Sequence, residues 1–303
     1  MKITTLIVCL TVAVVSLQGK IKITATTTHV ADLVTQIGGD RVVVDALMAP
    51  GVDPHLYKPS APDVRKLSGA DAIVYHGLNL EGFLGDLFER MGRRGIEVVA
   101  VTEAIPEERL LPSSEYEGQF DPHVWFDAEL WSLAVDRVVA LLSELDPSAR
   151  EAFTERGQAL KTEMHLLDVW AAHELGSLPD NQRILVTSHD AFSYLGRRYG
   201  LEVIGIQGIS TAAEAGLADI SGMVQLIKER NVPAIFIESS VSPAAIERVS
   251  VDSGVYVGGE LLSDSLGTPG VLVEADEEEY DIGTWQGMLV YNVETFVLGV
   301  TIN

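Results

Sequence analysis

The sequence predicts an α/β protein of two lobes, each a parallel sheet flanked by helices, with one long helix between them. Three observations carry that expectation. Short apolar runs alternate with amphipathic stretches between residues 21 and 101, and the alternation resumes at residue 184. Between the two sets lies Pro147–Leu178, which has apolar positions at helical spacing and no strand signal. The 303 residues are 47% apolar and 21% charged, which supplies a large core and excludes a disordered or collagen-like chain.

In the first half, Ile21–Thr26, Val42–Leu47, Ala72–Tyr75 and Glu97–Val101 read as buried strands. Helical patterns fall at His29–Ile37, Ala61–Ser68 and Gly82–Met91. Ser60 with Asp63 reads as a capping pair, and Pro62 sits in the first turn, where a missing N–H costs nothing. Glu103–Phe120 reads as a long loop. In the second half the strands are Ile184–Thr187, Leu201–Ile206, Ala234–Ile237 and Val255–Val257. Helices are expected at Ala191–Tyr199, ended by Gly200, at Ala212–Glu229, opened by a Thr211–Glu214 capping box, and at Pro243–Val251. Thr268–Ile282, with its acidic run Glu274–Asp281, reads as irregular solvated surface before a last helix from Thr284. A helix over Pro147–Leu178 would be about 45 Å long, a stiff beam between lobes, with Gly157 a weak point worth roughly 1 kcal/mol.

The first residues, MKITTLIVCLTVAVVSLQGK, place Lys2 before an apolar run from Ile3 to Leu17. That run is shorter than the roughly 20 residues a bilayer requires and fits an export signal over residues 1–19. Cys9, the only cysteine, is too early and too bulkily flanked for a typical acylation site. The exported protein would have no disulfide and no thiolate ligand. The expected division is a leader over 1–19, a first lobe over 20–146, a linking helix over 147–179 and a second lobe over 180–303. Lys and Arg number 21 against 44 Asp and Glu, a net charge of −23 that repels nucleic acid.

Without cysteine, site chemistry falls to histidines, carboxylates and hydroxyls. His165 and His173 lie in the long helix and read as solvated. The tripeptide Asp-Pro-His occurs twice, at Asp53–His55 and Asp121–His123, each after a strand of the first lobe. Proline stiffens both arms, so each imidazole is aimed in advance, as a metal ligand should be. His189 follows the strand Ile184–Thr187, and Asp264 follows the last strand of the second lobe. Parallel sheets bind ligands beyond the carboxyl ends of their strands, so His55, His123, His189 and Asp264 are candidates for one site. Three imidazoles and a carboxylate suit a first-row divalent ion: zinc tetrahedrally, manganese with more oxygens, such as a bidentate Asp264.

Four segments carry a resemblance: GVDPHLYKPSAPDVRKLSGADAIVYHGLNLEGF, FDPHVWFDAELW, LVTSHDAFSYLGRRYGLEVIGIQGIST and GGELLSDSLG. Together they resemble the solute receptors of zinc- and manganese-type ABC importers, the TroA-like cluster, from about residue 21 onward. The resemblance implies two four-stranded lobes joined by a rigid helix, with the metal between them as transported ligand. It puts the metal ligands on the same four residues, His55, His123, His189 and Asp264. It also implies a periplasmic monomer that serves a cognate ABC permease and is not an enzyme. Two departures bear on the metal. The Glu103–Phe120 loop has no histidine, unlike the loop of some zinc-dedicated relatives, and His189 stands where manganese-dedicated relatives often have Glu. Tyr75-His76-Gly77 stands where many relatives read tyrosine-asparagine-glycine; His76 and His29 are not assigned as ligands.

Two other classes compete. A zinc hydrolase would use His55, His123 and His189, but no HExxH or GxSxG pattern supplies a base or nucleophile. Some members of the resembling family are described as adhesins, and the sequence has no repeat that points there. Metal binding is expected to release protons from the imidazoles, so affinity should fall as the pH drops through about 6.

Overall fold

The computed structural model describes residues 19–113 and 115–302; the apolar run Ile3–Leu17 and Cys9 lie outside them. The first lobe runs β1 (Ile21–Ala25), α1 (Thr28–Gly38), β2 (Val42–Ala46), α2 (Ala61–Ser68), β3 (Ala72–Tyr75), α3 (Gly85–Arg93) and β4 (Glu97–Ala100). Its four strands are all parallel, in the order β2-β1-β3-β4. The central strands β1 and β3 are buried almost throughout, whereas β2 alternates inward Val42 with outward Val43 because it forms an edge. The starts of α1 and α2 fall where expected, and α3 begins at Gly85, after a single 3-10 turn from Gly82. Thr27 caps α1 by accepting the Val30 N–H, and the Asp63 carboxylate accepts from both the N–H and the hydroxyl of Ser60 at the start of α2.

A helix absent from the sequence reading follows, α4 (Ala128–Leu145), capped by Asp127, whose carboxylate accepts the N–H groups of Glu129 and Leu130. Its apolar positions Leu130, Trp131, Ala134, Val135, Val138, Leu141 and Leu142 are all buried. The long helix α5 (Arg150–Gly176) has 27 residues, hence a length of about 40 Å. Gly157 lies where this helix touches α4. A Cβ there would come within 2.6 Å of Val139 Cγ2, so the glycine is what allows α4 and α5 to touch.

The second lobe continues with β5 (Ile184–His189), α6 (Ser193–Tyr199), β6 (Glu202–Gln207), α7 (Leu217–Arg230), β7 (Ile235–Glu238), α8 (Ala244–Ser253) and β8 (Val257–Leu261). Parallel ladders join β5 to β6 and β7 to β8, and β5 lies beside β7. Gly200 ends α6 with φ +76°, as expected. Three local expectations fail. Helix α7 begins at Leu217, with Asp219 accepting the Gly216 N–H, and Thr211 caps nothing, because its hydroxyl is used elsewhere. The last parallel strand lies further on, over Val257–Leu261. Its paired glycines leave room for neighbours: a Cβ on Gly258 would lie 2.9 Å from Phe236, and one on Gly259 2.5 Å from Thr295. The acidic stretch forms a hairpin, β9 (Leu272–Ala275) and β10 (Glu278–Asp281), turned by Asp276 and Glu277 at φ 49° and 68°. Helix α9 (Trp285–Thr301) closes the chain, packed on β8 and α5.

One apolar core runs through both lobes. Trp125, Phe126 and Trp131 of the first lobe belong to the same cluster as Phe192, Leu261, Leu262 and Trp285. The Trp125 indole N–H donates to the Ser263 carbonyl, and the Trp285 indole N–H donates to the Trp125 carbonyl. Lobes welded this way resist a wide hinge opening, because separating them would expose the core to water.

Candidate metal centre

The four residues singled out from sequence converge. His55 comes from the loop after β2 and His123 from the segment after β4; His189 ends β5 and Asp264 follows β8. One ligand atom from each lies within 4.8 Å of the others. The Nε2 atoms of His55 and His123 are 3.3 Å apart. Asp264 Oδ1 is 3.3 Å from His123 Nε2 and 4.0 Å from His55 Nε2, and Asp264 Oδ2 is 3.4 Å from His189 Nε2. An ion bound tetrahedrally at 2.0–2.1 Å needs donors roughly 3.3 Å apart; three of these separations match such an edge, and the one between His55 and Asp264 is longer. The side chains of His123, His189 and Asp264 have no exposure; that of His55 has 6%. His189 Nε2 and Asp264 Oδ1 are buried without a hydrogen-bond partner, an arrangement that is costly unless a cation joins them.

A second layer of groups aims the rings. Asp121 Oδ1 accepts the His123 N–H at 2.9 Å and lies 2.6 Å from its Nδ1. Glu238 accepts the His189 N–H at 2.8 Å through Oε1 and sets Oε2 2.6 Å from Nδ1. A carboxylate on Nδ1 holds the proton there and leaves the Nε2 lone pair for a metal. Glu238 escaped the sequence reading. Its signal was an acid closing the apolar strand β7 at the sheet edge that carries His189.

Electrostatics follow from these pairs. At His123 burial acts downward, but Asp121 and Asp264 outweigh it and lift the ring to about 9. At His189 burial again opposes, and Glu238 with Asp264 raises the ring well above its ordinary value. Burial would raise Asp264, yet the surrounding imidazoles, His189 foremost, hold it well below the usual carboxylate range. His55 has no such backing, and burial takes it down to about 3.

His29 and His76 are buried but lie outside the four-residue cluster. The His29 ring stacks on Trp125 with centroids 4.5 Å apart, and its Nε2 lies 3.4 Å from Met288 Sδ. His76 Nε2 donates to the Pro122 carbonyl at 2.7 Å, steadying the turn that carries His123. Burial lowers each ring to about 3, so both are neutral. His165 and His173 are exposed on α5, as expected.

Residues 23–299 match the family described as ZnuA, zinc-uptake complex component A, periplasmic. The chain belongs to this family. Among relatives of the ZnuA family, it is 43% identical to the zinc-binding protein TroA of Treponema pallidum over 284 residues, 92% of this chain and 88% of TroA. It is 41% identical to the manganese-binding lipoprotein MntA of Bacillus subtilis over 281 residues, 91% of this chain and 88% of MntA. It is 31% identical to the iron-binding protein YfeA of Yersinia pestis, with 82% of this chain and 78% of YfeA aligned. The solved structure of the periplasmic zinc-binding protein TroA from Treponema pallidum superposes with a TM-score of 0.86 over 93% of this chain and 99% of that one. The two-lobed α/β fold is therefore shared. These relatives are named for zinc, manganese and iron, so family membership leaves the metal open.

Proposed function

We propose that this chain is the solute receptor of an ABC importer, capturing zinc or manganese between its lobes and passing the ion to a permease. His55 and His123 from residues 20–146 and His189 and Asp264 from residues 180–303 act as the ligands, with residues 147–179 as the linking helix. The observation that carries this reading is the approach of four buried or nearly buried ligand atoms to within 4.8 Å of one another, two from each lobe. Three nitrogens and one carboxylate favour zinc where the two metals are equally supplied.

The receptor is exported to the periplasm and acts as a monomer, without nucleic acid, in keeping with its net charge of −23. Among the described residues no helix is long and apolar enough to cross a membrane. It is a carrier and not an enzyme: Asp264 takes the position that a catalytic zinc leaves to water. His123→Ala removes a ligand and leaves Asp264 without its nearest nitrogen partner, so zinc affinity should drop at least a hundredfold by isothermal titration. A variant that binds like wild type would refute the ligand assignment.

A further inference from the structure

The two Asp-Pro-His copies begin alike and end differently. In each, the aspartate accepts the N–H of its own histidine, at 2.8 Å for Asp53 and 2.9 Å for Asp121. In the second copy the carboxylate also turns to the ring, 2.6 Å from His123 Nδ1. In the first copy it turns away. Asp53 Oδ2 instead accepts the hydroxyl of Thr211, 2.6 Å distant in the opposite lobe. Two residues earlier, the Gly51 N–H donates to Ser265 Oγ at 2.8 Å, beside Asp264. The His55 arm is thus tied to the second lobe at two points, while its ring is the only one of the three without a carboxylate on Nδ1 among the described residues. Of the four site residues, His55 alone lines a cavity of about 330 Å³, whose walls include Asn79, Phe83, Tyr116, Gln119 and Ser210.

A metal ion held by these four residues would meet solvent on the His55 side. The ring there is placed by its backbone arm, and that arm is held in register with the other three ligands by Asp53. We propose that the Asp53–Thr211 hydrogen bond is a latch across the cleft that sets how long the metal stays bound, with His55 the first ligand to let go. The proposal rests on the receptor reading above and adds how that site releases its cargo. Asp53 and Thr211 are positioning residues: they act on the metal only through His55. Thr211 therefore serves the opposite lobe and not the helix that follows it.

Thr211→Val keeps the shape of the side chain and deletes the hydroxyl, leaving the turn made by Asp53 intact. Thr211→Ser restores the hydroxyl. Zinc is loaded on each full-length mature protein and its loss to a chromophoric chelator is followed by stopped flow, with cobalt absorption reporting coordination. Thr211→Val should release zinc about tenfold faster, the effect of losing one hydrogen bond to a carboxylate. Thr211→Ser should stay within about twofold of wild type, and both should keep the wild-type cobalt spectrum. Ser265→Ala, which unties Gly51, should move release in the same direction. Wild-type release from Thr211→Val, or equally fast release from Thr211→Ser, overturns the latch and leaves the receptor reading standing. Failure of the wild-type protein to take up zinc overturns the receptor reading and the latch with it.

Discussion

Zinc binding at neutral pH should expel about two protons, and the count follows from how each imidazole is backed. His123 is raised to about 9 and His189 well above its ordinary value, so at pH 7 both rings of the metal-free site are protonated. His55, lowered to about 3, carries no extra proton, and Asp264 is ionised. The proton to be displaced from each charged ring is on Nε2, the nitrogen that faces Asp264. Each displaced proton contributes about 1.4 kcal/mol per pH unit, so affinity should fall about a hundredfold for each unit of pH lost between roughly 8 and 5. Three ordinary imidazoles titrating near 6.5 would together release only about 0.7 proton at pH 7, and affinity would be nearly flat above about pH 7.5. Titration calorimetry at pH 7 in buffers of different ionisation enthalpy yields the proton count directly. The logarithm of the dissociation constant against pH yields the slope. A count below one, with a profile that flattens above about pH 7.5, would refute the claim that Asp121, Glu238 and Asp264 hold these rings charged.

Two further outcomes test the supporting structure. Glu238→Gln removes the charge behind His189 while keeping its volume; zinc affinity should fall 10- to 100-fold. Proton release at pH 7 should drop from about two toward one, and an unchanged count would mean Glu238 does not set the state of that ring. Gly157→Leu forces a side chain into the contact with Val135 and Val139, and should destabilise the metal-free protein by about 1–3 kcal/mol in urea unfolding. A variant as stable as wild type would show that α4 and α5 separate easily.

Much of this was legible in the chain itself. The β-strands announced themselves as apolar runs bounded by turn residues. The repeated Asp-Pro-His, together with His189 and Asp264 placed just after strands, marks the candidate ligands in the sequence itself. What was misread shows where local signals end. Helix α4 obeyed helical spacing from Leu130 to Leu142 but went unassigned, although Asp127 stands at its start as a capping residue. The hairpin of β9 and β10 was hidden because its strands are acidic and its turn, Asp276-Glu277, lacks the usual glycine. Thr211 and Glu214 looked like a capping box because the pattern spans four residues; Asp53, 158 positions away, had the stronger claim on the hydroxyl.

The sequence by itself determined which side chains exist to bind a metal and which strand ends present them, because strand periodicity and proline stiffening act over a few residues. Only the tertiary structure decided what each carboxylate does. Asp53 and Asp121 sit in identical tripeptides, yet one faces an imidazole and the other a threonine of the opposite lobe. Charge and hydrogen bonding depend on distance in space, and that distance is set by the packing of both lobes around a common core.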